Sequence, residues 1–297
     1  MGCTSTSGCG APSMEPRTGK ETVSGADRSA FPTRVSDRLV RLALKYRLWR
    51  QAKAISATLH RLSPGYIASQ RRARVFYRTF LRPGDLCFDV GANIGKRTKV
   101  FLEIGARVVA VEPQPQCVIE LKEKFGHGDR LVVVAKALGS EPGVGQLMIS
   151  PADTLSTMSN DWVQTMTSSG RFRAFEEHSW KESVDVPVTT LDELITQFGV
   201  PTFCKIDVEG YEAKVLRGLS SRIPFLSIEF APEFIAGTGE CLRQLATLGG
   251  YQFNYSVGES MRLALPAWVS GEELERTLTS LPDATIFGDV YARSSDA

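Results

Sequence analysis

From residue 86 onward the chain alternates short apolar runs with amphipathic stretches. Leu86 to Val90 is an apolar run of strand length, and Lys96 to Ile104 repeats its apolar positions at helical spacing. Val108 to Val111 and the valine-rich Leu131 to Ala135 give the next two strands. Two more are expected at Gln146–Ile149 and Val184–Val188, then one at Phe203 to Ile206, followed by a helix over about Glu212 to Leu219. Phe225 to Ile228, Tyr251 to Val257 and Thr285 to Ala292 complete the set. Strands alternating with helices predict an α/β domain with a mainly parallel sheet and helices on both faces.

The N-terminal part reads differently. Residues 1–33 are rich in Ser, Thr and Gly and poor in large apolar side chains, the composition of a disordered tail. Met1-Gly2-Cys3-Thr4-Ser5-Thr6 fits the N-myristoylation pattern, with Cys3 placed for a second acyl chain, although so short a string also arises by chance. Ser36 to Leu62 repeats Leu39, Leu42, Ala43, Tyr46, Trp49, Ile55 and Leu59 at roughly helical spacing, and a second short helix is expected from Arg71 to Phe80. The resulting division is a tail (1–33), a basic helical extension (34–82) and a catalytic domain (83–297) carrying an insertion or lid at 150–183.

Charge sharpens this division. The 297 residues sum to +2, yet Arg34 to Arg82 holds thirteen Lys or Arg against the single acid Asp37, leaving the remainder net acidic. A basic arm on an acidic body predicts contact with an anionic surface, here a membrane on which an amphipathic helix lies. The competing reading is a helix packed on the domain with its arginines solvated. No nucleic acid is expected, because the aromatic residues of the arm sit at packing intervals. A hydrophobic fraction of 42 % and a charged fraction of 23 % fit a globular chain and exclude collagen-like or wholly disordered classes. No apolar run reaches the roughly 18–20 residues of a membrane span. Six scattered cysteines without a CxxC pair argue against zinc sites and disulfides, and a cytoplasmic setting, peripheral to the membrane if the arm binds there, is expected.

The candidate chemistry sits on the first strand–turn–helix unit, Asp89-Val90-Gly91-Ala92-Asn93-Ile94-Gly95. The spacing Gly91-x-x-x-Gly95 is not that of a dinucleotide site, and Lys96-Arg97-Thr98 excludes the P-loop string. A cofactor without phosphate is favoured. Asp89 is placed to hold a cationic amine, Glu112 at the end of the second strand to take two ribose hydroxyls, and Ala137-Leu138-Gly139 to line an adenine. S-adenosylmethionine has those parts. Carboxylates also end four strands, at Asp89, Glu112, Asp207 with Glu209, and Glu229, and in this architecture those ends share one rim.

These strings resemble the FkbM family of S-adenosylmethionine-dependent methyltransferases. The resemblance rests on FDVGANIG (Phe88 to Gly95), VVAVEPQP (Val108 to Pro115), the Leu191-Asp192-Glu193-Leu194 string and KIDVEGYE (Lys205 to Glu212), and spans about Arg82 to Arg293. It implies a Rossmann-like class I methyltransferase fold, a seven-stranded sheet with an antiparallel final strand. It also implies methyl transfer, most often to a hydroxyl of a sugar or natural product. Carried onto this chain, Asp89, Gly91, Ala92, Asn93 and Gly95 form the cofactor loop. Glu112 and Pro113 hold the ribose, Ala137 and Leu138 border the adenine, and Asp207 and Glu209 flank the methyl group. Phe230 departs from the pattern, since relatives often carry a histidine there.

An alcohol acceptor must lose a proton, so a base is expected within hydrogen-bond reach. Asp207 and Glu209 lead, with Glu229 and the insertion's His178 as further candidates. No metal is expected, although Asp207, Glu209 and Glu229 would suit Mg²⁺ if the fold gathers them. Ser156, Thr157, Arg171, Arg173 and Trp180 of the insertion are the acceptor-binding candidates, their mix suiting a sugar with a phosphate or carboxylate. The function expected is O-methylation of a small-molecule or glycan acceptor, such as a sugar, glycolipid or natural product. The alternatives are an N-methyltransferase on a protein or small molecule, and a non-catalytic cofactor-binding scaffold.

Overall fold

A computed structural model describes residues 63–150, 155–169, 180, 182–281 and 286–296. The tail, the acylation string and the helix expected over 36–62 lie outside them. The first described helix, α1 (Pro64–Tyr77), begins seven residues before the expected Arg71 and ends before Phe80. The reason is a local signal: the Ser63 hydroxyl accepts the N–H of Tyr66 at 3.2 Å, and Pro64 occupies the first turn, where its missing N–H costs nothing. Gln70, Ala73, Phe76 and Tyr77 form its buried stripe. The Tyr77 ring meets Phe101 edge-on with centroids 4.9 Å apart, and Phe80, just beyond the helix, stacks on Tyr291. The domain core therefore starts ahead of residue 83, because α1 is packed into it.

The strands β1 (Leu86–Val90), β2 (Arg107–Val111) and β3 (Leu131–Val134) are linked by α2 (Lys96–Ile104) and α3 (Pro115–Phe125). Three short strands follow: β4 (Ala137–Leu138), β5 (Gly143–Ile149) and β6 (Glu182–Thr189), with α4 (Asn160–Ser169) between β5 and β6. The LDEL string forms α5 (Leu191–Phe198), capped by Thr190, whose hydroxyl accepts the Glu193 N–H. Then come β7 (Phe203–Ile206), α6 (Glu212–Arg217), β8 (Phe225–Phe230), α7 (Ile235–Leu248), β9 (Tyr251–Val257), α8 (Gly271–Thr279) and β10 (Gly288–Ser294).

Seven strands make the main sheet in the order β3-β2-β1-β7-β8-β10-β9, all parallel except β10, which runs antiparallel to both neighbours. This is the class I methyltransferase arrangement that the resemblance implies. The reversal of strand order between β1 and β7 leaves a crevice at their carboxyl ends. A separate three-stranded sheet, β4-β6-β5, carries the insertion on the β5–β6 antiparallel pair.

Strand register arranges one face of the main sheet in rows. Cys87, Phe203 and Phe225 pair across β1, β7 and β8. Two residues on, Asp89, Lys205, Ser227 and Tyr291 pair across four strands. Two residues beyond that, Glu229 pairs with Asp289. With a side-chain period of two, these rows lie on one face, which changes from apolar to ionisable toward the carboxyl ends. β8 runs on to Phe230, so Glu229 is inside the strand rather than beyond its end.

Candidate active site

A cavity of about 350 Å³ opens at the carboxyl ends of β1, β2, β7 and β8. Its first wall is the β1–α2 turn. Gly91 has φ 77°, and a Cβ there would sit 1.7 Å from the Asp207 carbonyl oxygen, so this crossing of β1 and β7 admits glycine alone. The N–H groups of Gly91 and Ala92 donate to Val111 O, tying the turn to β2. The Asn93 N–H donates to Glu112 Oε2 and the Gln114 N–H to Glu112 Oε1, each at 2.8 Å. Glu112 is thus buried yet held in place.

Asp89 lines the floor, 2 % exposed, and accepts the Thr98 hydroxyl at 2.5 Å. Burial pushes its carboxyl up against the opposing pull of Lys205 and Thr98. Gly95 is placed elsewhere than the sequence reading implied. It does not line the cavity but meets α3, where a Cβ would lie 2.5 Å from the Phe125 ring. Its role is to let α2 start against α3.

The opposite wall is acidic. Lys205, 3 % exposed in the middle of the sheet, places Nζ 2.5 Å from Asp207 Oδ2. Burial raises the Asp207 carboxyl, but the Lys205 ammonium outweighs it and the net shift is downward. Beyond Asp207 the chain turns sharply: Glu209 has φ 54° and Gly210 φ 83°. The turn is braced by Thr157, whose hydroxyl donates to Glu209 O at 2.7 Å, and by Glu212, whose Oε1 accepts the N–H groups of Val208 and Gly210. One carboxylate oxygen from each of Asp207, Glu209 and Glu229 lies within 4.8 Å of the others. Enclosure by the walls, together with the Asp207 charge, pushes both Glu209 and Glu229 well above the usual carboxylate range. Among the described residues this trio is the one cluster whose donors suit a divalent cation.

Of the remaining candidates, Pro113, Ala137, Leu138, Ser156 and Thr157 line the cavity. Trp180 lines a neighbouring cavity with Met158 and Tyr211; its Nε1–H donates to Leu155 O at 2.7 Å and its ring meets Trp162 edge-on. His178, Arg171 and Arg173 lie outside the described residues. Sequence reasoning missed Lys96, Arg97 and Glu259 on the rim, where Glu259 bridges Lys96 at 2.7 Å and Arg97 at 2.6 Å. Glu259 arrives from the loop after β9, more than 160 positions from its partners, and no local string announces it.

Comparison with known proteins agrees with this geometry. Residues 89–253, more than half of the chain, match the methyltransferase FkbM domain. The chain belongs to the FkbM methyltransferase family. A curated relative, the 31-O-demethyl-FK506 methyltransferase FkbM of Streptomyces tacrolimicus, is 30 % identical over 159 residues, which are 47 % of this chain and 61 % of the relative's length. Among solved structures, the precorrin-6Y C5,15-methyltransferase of Geobacter metallireducens aligns at 10 % identity and TM-score 0.41, over 75 % of this chain and 88 % of that one. A TehB-like SAM-dependent methyltransferase of Corynebacterium glutamicum aligns at 10 % identity and TM-score 0.40, over 85 % of this chain and 99 % of that one.

The FkbM domain's cavity fits the S-adenosylmethionine that the family uses. An apolar slot formed by Val111, Pro113, Ala137, Leu138 and Leu147 adjoins the fixed Glu112 carboxylate, as an adenosine requires. Gly91 also lines this cavity.

Proposed function

We propose that this protein transfers a methyl group from S-adenosylmethionine to a hydroxyl oxygen of a sugar, glycolipid or natural product. The observation that carries this reading is that one cavity joins an adenosine-shaped end at Glu112, Ala137 and Leu138 to the carboxylate trio of Asp207, Glu209 and Glu229. The FkbM relative, named for a 31-O-demethyl substrate, supports an oxygen acceptor.

S-adenosylmethionine, held by Glu112 and the Gly91–Asn93 loop, would supply an activated methyl group to an acceptor oxygen and would leave as the demethylated thioether. The chain's share is alignment and proton removal. Glu112 accepts the two ribose hydroxyls, while Gly91, Ala92 and Asn93 shape the loop beside them. Asp89 lies below that loop and fixes Thr98. Positioning of this kind contributes many orders of magnitude to such a displacement. Asp207 stays ionised beside Lys205, whereas burial and the Asp207 charge raise Glu209 and Glu229, so the ionised form of either holds a proton more firmly than an ordinary carboxylate does. The acceptor's hydroxyl proton passes to Glu229 or Glu209 as the oxygen attacks. Ser156, on the insertion side, meets the acceptor, while Thr157 holds the turn that carries Glu209.

The test has two stages. Calorimetric titration with S-adenosylmethionine, on the wild type and on Glu112→Ala, reads the cofactor end. Transfer of labelled methyl to a panel of sugar, glycolipid and macrolide alcohols, set beside matched amines, reads the acceptor end. Label entering amines alone turns the reading to N-methylation, and cofactor binding without transfer to any member leaves a binding scaffold.

A further inference from the structure

The solvent face of α1 is unlike those of the other helices. Ile67, Arg71, Val75 and Arg78 follow one another at spacings of four, four and three, a single stripe along a helix of 3.6 residues per turn. Arg72 flanks the stripe and Arg82 lies just beyond the helix, and all four arginines are exposed. Ile67 is 55 % and Val75 63 % exposed. The helix sequence contains no acid, and among the described residues no guanidinium of Arg71, Arg72, Arg78 or Arg82 forms an ion pair, although the Arg82 N–H donates to Asp85 Oδ2 at 2.7 Å; Arg74, at the edge of the face, takes Glu103. Every other described α-helix holds at least one acid: α5 carries Asp192 and Glu193, and α8 carries Glu272, Glu273 and Glu275, the last bridged to Arg243.

We propose that this face of α1 is a docking surface for an anionic phospholipid bilayer. The charge complements the headgroups. Ile67 and Val75 lie between arginines whose long stems reach outward, so the aliphatic groups enter the headgroup boundary while the guanidinium groups stay among phosphates. A nucleic acid fits less well, because the rings of Phe76 and Tyr77 are turned into the core, away from any base. The fold supports such a role mechanically: the buried stripe of Ala73, Phe76 and Tyr77 fixes α1 to the domain, so a docked helix carries the cavity with it. The surface holds whatever the acceptor is, and its test needs no methyl transfer.

The experiment is co-sedimentation of the full chain with phosphatidylcholine vesicles, with and without phosphatidylglycerol, across a salt series. The wild type is expected to pellet with the anionic vesicles alone, and less so as salt rises. Arg71→Glu combined with Arg78→Glu is expected to weaken binding about tenfold or more. Ile67→Ser combined with Val75→Ser is expected to weaken it several-fold while the salt dependence persists. Thermal unfolding and S-adenosylmethionine titration, unchanged in both variants, show that the fold is intact. Absence of wild-type binding, equal binding to neutral vesicles, or a charge-reversed variant that binds like the wild type overturns the proposal. The last result assigns the attraction to residues 1–62. RNA that displaces the vesicles and depends on Arg71 and Arg78 but not on Ile67 and Val75 assigns the face to nucleic acid and also overturns it.

Discussion

The N–H of Asn93 donates to Glu112 Oε2 at 2.8 Å, which fastens the loop after β1 to the end of β2. The carboxylate is therefore oriented before a ligand arrives, and its alignment does not draw on binding energy. Glu112→Ala is expected to weaken S-adenosylmethionine binding by about 1–3 kcal/mol, roughly fivefold to 150-fold. Glu112→Gln is expected to lose less, since the amide keeps one acceptor oxygen. Calorimetry on both variants checks the order.

Gly91 and Gly143 separate a required glycine from a replaceable one. A Cβ at Gly91 overlaps the Asp207 carbonyl oxygen, a backbone atom just past the end of β7, whereas a Cβ at Gly143 meets nothing within 4 Å. Gly91→Ala is expected to cost about 2 kcal/mol or more of stability, and cofactor binding with it. Gly143→Ala is expected to stay within about 0.5 kcal/mol. Denaturant unfolding of the two variants side by side gives the comparison.

Glu229 and Glu209 divide from Glu112 by what they affect. Replacing either by Gln is expected to lower turnover on an alcohol acceptor by about a hundredfold or more, and to leave cofactor affinity near the wild-type value. Lost cofactor affinity with unchanged turnover would move these residues out of the base role.

Glu212 gives the fold a pH dependence. Burial pushes its carboxyl to about 7, from an ordinary 4.5, despite the backbone N–H bonds that favour the anion. Between those values the folded protein holds a proton that the unfolded chain has released, so this group's contribution to stability falls as pH rises through the window. Glu212→Gln keeps an oxygen for Val208 and Gly210 and removes the titration. The variant is expected to be more stable than the wild type at pH 8, by on the order of 3 kcal/mol at most, and to converge with it near pH 4.5. Thermal unfolding across that range decides the matter.

Cys87, Cys117, Cys204 and Cys241 are buried free thiols, and burial raises the pKa of Cys87, Cys204 and Cys241. All four are expected to resist iodoacetamide in the folded protein and to react in denaturant, as read by mass spectrometry at each site.

Much of this architecture was legible because its signals are local. Leu86–Val90, Lys96–Ile104, Phe203–Ile206 and Tyr251–Val257 have the bounds their apolar periodicity predicts. A strand or amphipathic helix declares itself by residues two, three or four apart. The loop strings DVGANIG and KIDVEG were equally readable, and the structure sets both on one cavity. The start of α1 lies seven residues ahead of Arg71, because the Ser63 cap and Pro64 set it rather than the apolar spacing.

What the chain of letters determined was the order of elements, the turn at Gly91 and the acids at the strand ends. What the tertiary structure decided is which of those groups face one another. Lys205 reads as one charged residue in an apolar run; strand register alone buries it between Asp89 and Ser227 and sets it against Asp207. Glu259 closes on Lys96 and Arg97 across more than 160 residues, and Gly95 meets Leu121 and Phe125 of α3. Contacts of that range depend on how the strands are ordered and on which face each side chain takes, quantities that no local pattern encodes.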